Sequence, residues 1–413
     1  MSAIRSIFIT NNGLSDHIGI SQVLPYLEGL AARGHQLACV SVERPAKRHT
    51  YAEQVAPRLE RAGVMHTPIL RSRSPLAGKL ERFAMPSQLQ HRLDALVRSF
   101  HPDLIHCRSY MPLGAVLNAN QHHGIPFLFD MRGFWVDERC EAGVWKGPLG
   151  KRAADHFRRR EVQAINRAAA TVTLTHDAKS LIAMRRGQAG TPIETIPCSV
   201  DQSRFKPDSS LRGRMRLELG LQDHDVVLAH LGSTGPLYEV GSTYRLMAAL
   251  RRQGMSAKLL MIGSQTCRQH IRAAKRIGII LSHDDLICRQ VPHDQVPALL
   301  NAADIGLSFR IASKSSLGVS ATKVGEYQSC GLPVISNTGV GDIHEIIPDR
   351  RYGLVLASHD DAAIENAANV IATAPFATRA EIRAHAADRF SMIRACDMYD
   401  RIYRSFRTER KAA

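Results

Sequence analysis

Residues 321–335 read ATKVGEYQSCGLPVI, a stretch that runs from a helix into a strand. The part around Lys323 and Glu326 has the character of a helix, Gly331 supplies a stop, and Pro333 opens an apolar strand. Because Lys323 and Glu326 are three residues apart, they share one helix face near its start, where anions are attracted. Two interpretations follow: a phosphate site beside Lys323 with Glu326 binding hydroxyls, or a solvated surface ion pair of little energetic value.

The same alternation of apolar runs and helical patterns continues along all 413 residues, a length that predicts two domains. The predicted strands are 4–10, 36–42, 103–109, 126–132, 171–175, 193–198, 225–233, 257–264, 285–292, 304–310 and 333–337. One of the helices between them is predicted over 21–34, ending at Gly34. Apolar strands separated by helices are typical of parallel, doubly wound sheets. We therefore expect an α/β protein with two Rossmann-like domains, joined by a polar linker at 200–210.

The formal net charge is +16, and the excess lies mainly in the first half of the chain. Residues 1–200 hold 26 basic and 16 acidic side chains. Such a balance favours nucleic acid, an anionic membrane surface or phosphorylated substrates as partners. The sequence has no helix-turn-helix, zinc-finger or RNA-binding-sheet signature. We therefore expect no nucleic-acid partner.

The eight cysteines are scattered, without the spacing of a zinc site. This pattern predicts reduced thiols in a cytoplasmic protein without structural zinc. No uncharged apolar run approaches the roughly 18 residues needed to cross a bilayer. The first residues predict a strand and not a signal peptide, because Arg5 interrupts a short apolar stretch.

Five landmarks, taken in order, resemble the GT-B fold retaining glycosyltransferases of family four, also called glycosyl transferases group 1. They are a first glycine loop and helix (GLSDHIGISQVLPYLEGLAARGH, 13–35), a strand ending in a histidine motif (DLIHCRSY, 103–110), an interdomain stretch (TIPCSVDQSRF, 195–205), a phosphate loop (LGSTG, 231–235) and a donor-site signature (303–335). The resemblance covers nearly the whole chain. It implies an acceptor domain at 1–199 and a nucleotide-sugar donor domain at 200–390 that face each other across a cleft. It also implies a C-terminal helix, 391–413, that packs back on the acceptor domain.

The resemblance assigns the ribose hydroxyls of a nucleotide sugar to Glu326, whose carboxylate has acceptor sites for two of them. Many relatives carry another glutamate eight residues earlier, where this chain has Gly318. We therefore expect backbone amides at Gly318 and Val319 to contact the sugar. In the first domain, Gly13 and Gly19 are donor-binding candidates, because glycine lets the backbone approach a sugar diphosphate.

The phosphate loop also departs from the family pattern. Relatives often follow the glycine of this loop, here Gly232, with an arginine and then a lysine. This chain has Ser233 and Thr234 instead, whose backbone N–H groups can meet a diphosphate. We expect Lys323 to supply the missing positive charge and to stabilise the leaving diphosphate. An ordinary strand-to-helix turn is the alternative interpretation of the loop.

The histidine motif supplies two further catalytic candidates by resemblance, His106 and Arg108. A histidine packed inside the strand is the alternative for His106. Asp130 and Arg132 follow the next predicted strand and are candidates for acceptor binding. They also fit a solvated loop rim with mutual ion pairing.

The resemblance implies sugar transfer from a nucleotide sugar to an acceptor hydroxyl, with retention of configuration and without a metal or another cofactor. UDP is the favoured nucleotide, and cell-surface polysaccharide or glycolipid synthesis is the expected role. The leaving phosphate can itself take the acceptor's proton, so the carboxylate pair of a glycosidase is not required. The alternatives are an epimerase or a phosphorylase of the same fold, or a degenerate member that binds a lipid or a protein partner.

Segments rich in arginine and lysine with interleaved apolar residues lie at 71–98, 151–167 and 392–411. In the last segment, four apolar residues recur at near-helical spacing and predict a buried stripe: Ile393, Met398, Ile402 and Phe406. We expect a peripheral cytoplasmic enzyme whose first domain rests on anionic lipid and meets a lipid-linked acceptor. A soluble enzyme with a solvated basic face and a saccharide acceptor is the alternative.

Overall fold

The structure, a computed structural model, describes residues 3–72, 75–185 and 190–412, with side chains described in these ranges except at 75–84 and 407–412. The described chain divides into two compact units. The first contains the residues up to Pro197 and those from Met392 onward, and the second is Cys198–Ser391. Each unit is built on one parallel sheet with helices between its strands, which confirms the predicted α/β class and the two Rossmann-like domains.

The first unit contains a sheet of seven parallel strands in the order β3-β2-β1-β4-β5-β6-β7. They are β1 (Arg5–Thr10), β2 (Gln36–Glu43), β3 (Met65–Leu70), β4 (Leu104–Arg108), β5 (Phe127–Asp130), β6 (Ala170–Thr173) and β7 (Ile193–Thr195). The strand order reverses between β1 and β4, and ligands of such sheets bind at the carboxyl ends near that point. The sequence did not predict β3, an edge strand in which Pro68 interrupts the apolar pattern.

Nine helices of the first unit precede the linker in the described ranges. They are α1 (His17–Gln22), α2 (Leu24–Ala32), α3 (Arg48–Thr50), α4 (Ala56–Arg61), α5 (Pro75–Phe100), α6 (Leu113–His123), α7 (Trp135–Glu141), α8 (Gly147–Arg167) and α9 (His176–Arg185). A 3₁₀ turn, Pro45–Lys47, precedes α3, and a π-helical turn, Tyr51–Val55, follows it. The prediction of one helix over 21–34 is wrong, because the chain breaks at Val23 between α1 and α2. Pro25, in the first turn of α2, explains the break, because it has no N–H to donate to the preceding turn and its ring clashes with the carbonyl four residues earlier.

The second unit contains a sheet of six parallel strands in the order β10-β9-β8-β11-β12-β13. They are β8 (Val226–Leu231), β9 (Ala257–Ile262), β10 (Leu286–Arg289), β11 (Ile305–Ser308), β12 (Val334–Asn337) and β13 (Gly353–Leu356). The sequence predicted all of these except β13, a four-residue edge strand. The strand order reverses between β8 and β11, so the loops after these two strands are the natural place for a ligand.

The helices of the second unit are α10 (Ser209–Glu218), α11 (Val240–Arg252), α12 (Cys267–Arg276), α13 (Val296–Ala302), α14 (Thr322–Ser329), α15 (Ile343–Ile346), α16 (Asp361–Thr373) and α17 (Arg379–Ala386). Short 3₁₀ turns lie at His283–Asp285, His293–Gln295 and Ser315–Gly318. Cys267, at the start of α12, forms a disulfide with Cys288 in β10. The expectation that every cysteine is reduced is therefore wrong, because the fold brings together two thiols that are separated by 21 residues.

The C-terminal helix, α18 (Met392–Ala412), belongs to the first unit and packs against α2. Its buried residues are Ala395, Cys396, Tyr399, Ile402, Tyr403 and Phe406. The predicted stripe is correct for Ile402 and Phe406 but wrong for Ile393, which is 73% exposed. Met398 is partly buried against the same core. Ile393 falls outside the buried helix face because that face runs through Tyr399 and Tyr403. No helix in the described ranges is long and apolar enough to cross a membrane.

Candidate active site

The loop after β8 in the second unit has the properties of an anion site. Gly232 has a φ of 95°, a conformation that favours glycine, and its N–H donates to the Ile262 carbonyl. The N–H groups of Ser233 and Thr234, which follow, have no hydrogen-bond partner within the described part of the chain. Burial lowers the pKa of the neighbouring His230 to about 3, so its imidazole is neutral at pH 7. Two open backbone amides thus face solvent at the carboxyl edge of the sheet.

Lys323, in the first turn of α14, lies beside this loop. Its ammonium is 4.0 Å from the position that a Cβ on Gly232 would occupy. The residue is only 8% exposed, and Nζ has no hydrogen-bond partner among the described residues. Burial lowers the pKa of Lys323 to about 7. The charge of Glu326 opposes this shift, whereas the charge of Arg310 adds to it.

Arg310 is a second buried cation at this place, and the sequence did not single it out. Its guanidinium lies 5.4 Å from the centre of the Tyr238 ring, while the Lys323 ammonium lies 4.6 Å from the same centre. Arg310 follows β11, at the carboxyl edge where parallel sheets bind ligands. Its position at the end of the predicted strand 304–310 is the sequence feature that could have identified it. Two cations on one aromatic ring, next to open amides, form a cluster of donors suited to an anion.

Glu326 lies one turn further along α14 and is 3% exposed. Its Oε1 is 2.7 Å from Nε2 of His293, which packs on Phe205 at 5.4 Å between ring centres. Lys323 and Glu326 are both buried and do not form an ion pair, so the alternative of a solvated surface pair is wrong. The sequence missed His293, although it directly follows the predicted strand 285–292.

Gly318 and Val319 lie between β11 and α14, where Gly318 ends a 3₁₀ turn. The Val319 N–H donates to the Ser316 carbonyl at 3.1 Å. The expected free amide at Val319 is therefore occupied in this structure, because the turn uses it. Gly318 is buried.

The glycine loop of the first unit, residues 11–19, is held by its own backbone and by a carboxylate on β2. A Cβ on Gly19 would lie 2.0 Å from the Gly13 carbonyl oxygen. A Cβ on Gly13 would lie 3.0 Å from Glu43 Oε2. Packing inside the loop thus explains the glycine at 19, whereas the sequence attributed it to the approach of a ligand.

His106 is 1% exposed, and its Nδ1 is 2.9 Å from the Tyr403 hydroxyl of α18. Its other nitrogen, Nε2, is 3.5 Å from Asp130 Oδ2. Burial lowers the pKa of His106, which keeps the ring neutral against the pull of Asp130. The structure thus gives His106 the packed position that the sequence left as its alternative, and its expected catalytic role stays a prediction.

Arg108, Asp130 and Arg132 form a buried charge cluster at the carboxyl ends of β4 and β5. Arg108 donates to Asp130 Oδ2 at 2.9 Å, and an Arg132 nitrogen lies 3.8 Å from Oδ1. Burial alone raises the pKa of Asp130, but Arg132, Arg108 and His106 outweigh it and bring the value to about 2. Arg108 is 3% exposed and Asp130 0%. Arg108 and Asp130 thus pair with each other in a buried position, and their expected catalytic and acceptor contacts stay predictions. Arg132, with 9% side-chain exposure, is the member closest to solvent.

Comparison with known protein families gives two matches along the chain. A family model described as Glycosyltransferase Family 4 matches residues 22–204, and one described as Glycosyl transferases group 1 matches residues 227–373. Together the two matches span most of the chain.

The curated proteins with similar sequences include two glycosyltransferases of named specificity. The GDP-mannose-dependent alpha-(1-6)-phosphatidylinositol monomannoside mannosyltransferase of Mycolicibacterium smegmatis is 28% identical over 181 residues, which are 42% of this chain and 46% of that protein. The D-inositol 3-phosphate glycosyltransferase of Salinispora arenicola is 26% identical over 312 residues, which are 70% of this chain and 66% of that protein. The chain thus spans less than two thirds of the length of either relative.

Solved structures show the same fold at low sequence identity. Sucrose-phosphate synthase of Thermosynechococcus elongatus superposes with a TM-score of 0.72 at 15% identity, covering 98% of this chain and 100% of that one. HepE of Anabaena, in complex with UDP and glucose, superposes with a TM-score of 0.70 at 16% identity, covering 97% and 100%. Family models match both halves of the chain, and solved glycosyltransferases share its fold. The chain therefore belongs to the family 4 glycosyltransferases and has the GT-B fold.

Proposed function

We propose that this chain transfers a sugar from a nucleotide sugar to an acceptor hydroxyl, with retention of the anomeric configuration. The observation that carries the proposal is the buried ammonium of Lys323, which has no hydrogen-bond partner within the described residues. A buried ammonium without a hydrogen-bond partner is unfavourable. A diphosphate held by the Ser233 and Thr234 amides supplies charge-assisted hydrogen bonds to it.

The chemistry follows from the same groups. As the sugar–oxygen bond of the donor breaks, negative charge develops on the leaving diphosphate. Lys323 and Arg310, which are 8% and 6% exposed and lie beside the same Tyr238 ring, are the groups that stabilise this charge. The leaving phosphate accepts the proton of the attacking hydroxyl, so no side-chain base is needed for this step. Retention is a property that we assign from membership of family 4.

Glu326 is the proposed ribose contact. His293 holds Oε1 at 2.7 Å and fixes the rotamer of the carboxylate, which leaves Oε2 to accept from a ribose hydroxyl. This arrangement separates the two tasks along α14, with the phosphates at Lys323 and the ribose one turn later. No metal or other cofactor takes part in the reaction as we propose it.

The donor is proposed to be a UDP- or GDP-sugar. HepE was solved with UDP and glucose, and the mycobacterial relative is named for GDP-mannose. A lipid-linked or saccharide acceptor suits the two curated relatives, whose names include phosphatidylinositol monomannoside and D-inositol 3-phosphate. We place the reaction in the synthesis of a cell-surface polysaccharide or glycolipid.

A peripheral position on anionic membranes is part of the proposal. Near the start of α8, Val144 is 55% exposed and Leu149 is 78% exposed. Lys146, Lys151 and Arg152, which are close to them in the sequence, are also exposed. Apolar side chains within a basic surface suit the boundary between lipid headgroups and acyl chains. Side chains are not described in parts of the basic segments 71–98 and 392–411. The residues near the start of α8 are therefore the support for membrane binding.

A thermal-shift screen of UDP- and GDP-sugars tests the proposed donor site. Ligand binding to the folded state raises the melting temperature. We expect at least one nucleotide sugar to stabilise the wild-type chain, and Lys323→Met and Glu326→Ala to reduce the shift. Lys206→Met, which removes an exposed lysine of the same unit, serves as the matched control. A flat response to every nucleotide sugar contradicts the proposal and favours a degenerate member.

A further inference from the structure

A second pocket lies in the first unit, at the carboxyl ends of β2 and β3. Its volume is about 630 Å³. Its walls are mostly apolar and include Pro45, Tyr51, Pro68 and Leu70. Ser15 of the glycine loop also lines the pocket, so a molecule bound there lies against that loop.

The floor of the pocket is formed by Glu43, which is 4% exposed. Its Oε1 accepts from the Leu14 N–H and from Ser41 Oγ, each at 2.6 Å. Its Oε2 accepts from Ser15 Oγ at 2.5 Å. These donors satisfy the carboxylate, which explains how it is buried without a cation.

A chain of hydrogen bonds fixes the wall to this floor. The Tyr51 hydroxyl is 2.7 Å from His66 Nδ1, and His66 Nε2 is 2.9 Å from Ser41 Oγ. Burial lowers the pKa of His66 to about 4, so the ring is neutral and has one N–H to donate. With that proton on Nε2, Tyr51 donates to His66, His66 to Ser41, and Ser41 to Glu43. The pocket is thus held in shape before any ligand arrives.

The rim of the pocket is basic. Arg44, Arg48 and Arg71 all line it. Arg44 Nε lies 3.5 Å from Asp16, whereas the guanidinium groups of Arg48 and Arg71 have no partner within the described part of the chain. Guanidinium groups bind phosphate with paired hydrogen bonds, and the negative Glu43 repels an anion from the floor. The charge pattern therefore fits a ligand with its anionic group at the rim and its uncharged part against the walls.

We propose that this pocket binds an amphiphilic phosphoester, with the phosphate on Arg48 and Arg71 and an apolar portion against Tyr51 and Leu70. Resting on the proposed function, this molecule is the acceptor. Ser15, which belongs to the glycine loop and donates to Glu43, places the pocket against that loop. A phosphate at the rim leaves the rest of the acceptor free to extend along that loop.

Calorimetric titration with octyl phosphate, kept below its micelle concentration, tests the site. We expect binding that weakens about tenfold or more in Arg48→Gln and Arg71→Gln, the cost of a lost charge-assisted hydrogen bond. Lys47→Gln is the matched control, because Lys47 is exposed on the same segment, carries the same charge and does not line the pocket. Leu70→Ser should weaken octyl phosphate binding but leave the weaker binding of inorganic phosphate unchanged.

Four results overturn the proposal. They are no binding of octyl phosphate to the wild-type chain, equal loss in Lys47→Gln and Arg48→Gln, equal affinity for octyl glucoside, and displacement of octyl phosphate by UDP or GDP. The last result would place the phosphate at the Lys323 site instead. UDP and GDP are titrated in parallel to separate the two proposals. Nucleotide binding without octyl phosphate binding refutes only this pocket, whereas absent nucleotide binding refutes the proposed function.

Discussion

Among single residues, Lys323 combines three properties that a surface lysine lacks. It is 8% exposed, its ammonium has no hydrogen-bond partner among the described residues, and burial brings its pKa to about 7. Structural lysines are seldom buried without a partner. Such a group is suited to a ligand that brings negative charge with it.

Replacing Lys323 should therefore affect phosphate binding selectively. We expect Lys323→Met to weaken binding of the cognate nucleoside diphosphate by about 1.5–3 kcal/mol, the range for hydrogen bonds to charged groups. Binding of the nucleoside without phosphates should change far less. Calorimetry with both ligands measures the difference, and Lys206→Met is the control. Equal losses for the two ligands would show that Lys323 does not lie at the phosphates.

The same lysine predicts a pH dependence. Below pH 7 its amine is already protonated, and above pH 7 binding of a diphosphate must recruit the proton. Because the phosphates are fully ionised there, affinity should fall between pH 7 and pH 9, by up to about tenfold per unit. Titrations across this range measure the slope. Lys323→Arg keeps the positive charge at all these pH values, so the affinity of this variant should change little with pH. An equally steep fall in this variant would refute the assignment of the pH dependence to Lys323.

At the scale of elements, the sequence predicted the central strands of both sheets because their apolar runs are nearly continuous. It predicted the edge strands β7 and β10 but missed β3, in which Pro68 interrupts the apolar pattern, and β13, which has only four residues. It could not place Arg310 beside Lys323, since 13 residues separate them and only the packing of β11 and α14 joins them. His106 was equally out of reach, because the tyrosine that covers it lies 297 residues later, in α18.

The packing of Gly19, in α1, against the preceding loop leads to a prediction about stability. A Cβ on Gly19 would meet backbone atoms of Gly13 and Leu14 at 2.0 and 2.5 Å, so the loop must move to accept it. We expect Gly19→Ala to lower the free energy of unfolding by about 1–3 kcal/mol, as overpacking does. Urea denaturation checks this value. In Gly213→Ala, a Cβ within α10 meets nothing within 4 Å, and the same change should stabilise by up to about 1 kcal/mol. An unchanged midpoint for Gly19→Ala would contradict the observed packing.

At the scale of the whole molecule, the net charge of +16 and the exposed apolar residues of α8 lead to a prediction about membranes. The chain should co-sediment with vesicles that contain anionic lipid and not with neutral vesicles. About 0.5 M salt should release it, since the Debye length shrinks. Leu149→Ser should weaken binding, whereas Leu217→Ser, at an exposed leucine of the other unit, should not. Equal recovery in the supernatant with both vesicle types would leave a soluble acceptor as the better explanation.

The central claim is that this chain transfers a sugar from a nucleotide donor. Mass spectrometry tests it most directly, after incubation of the chain with a panel of UDP- and GDP-sugars and a lipid extract. We expect one donor to release its nucleoside diphosphate while one lipid species gains the mass of a single sugar, with both signals strongly reduced in Lys323→Met. If no donor is consumed and no species gains a sugar, although the chain is folded, the claim of glycosyl transfer is contradicted.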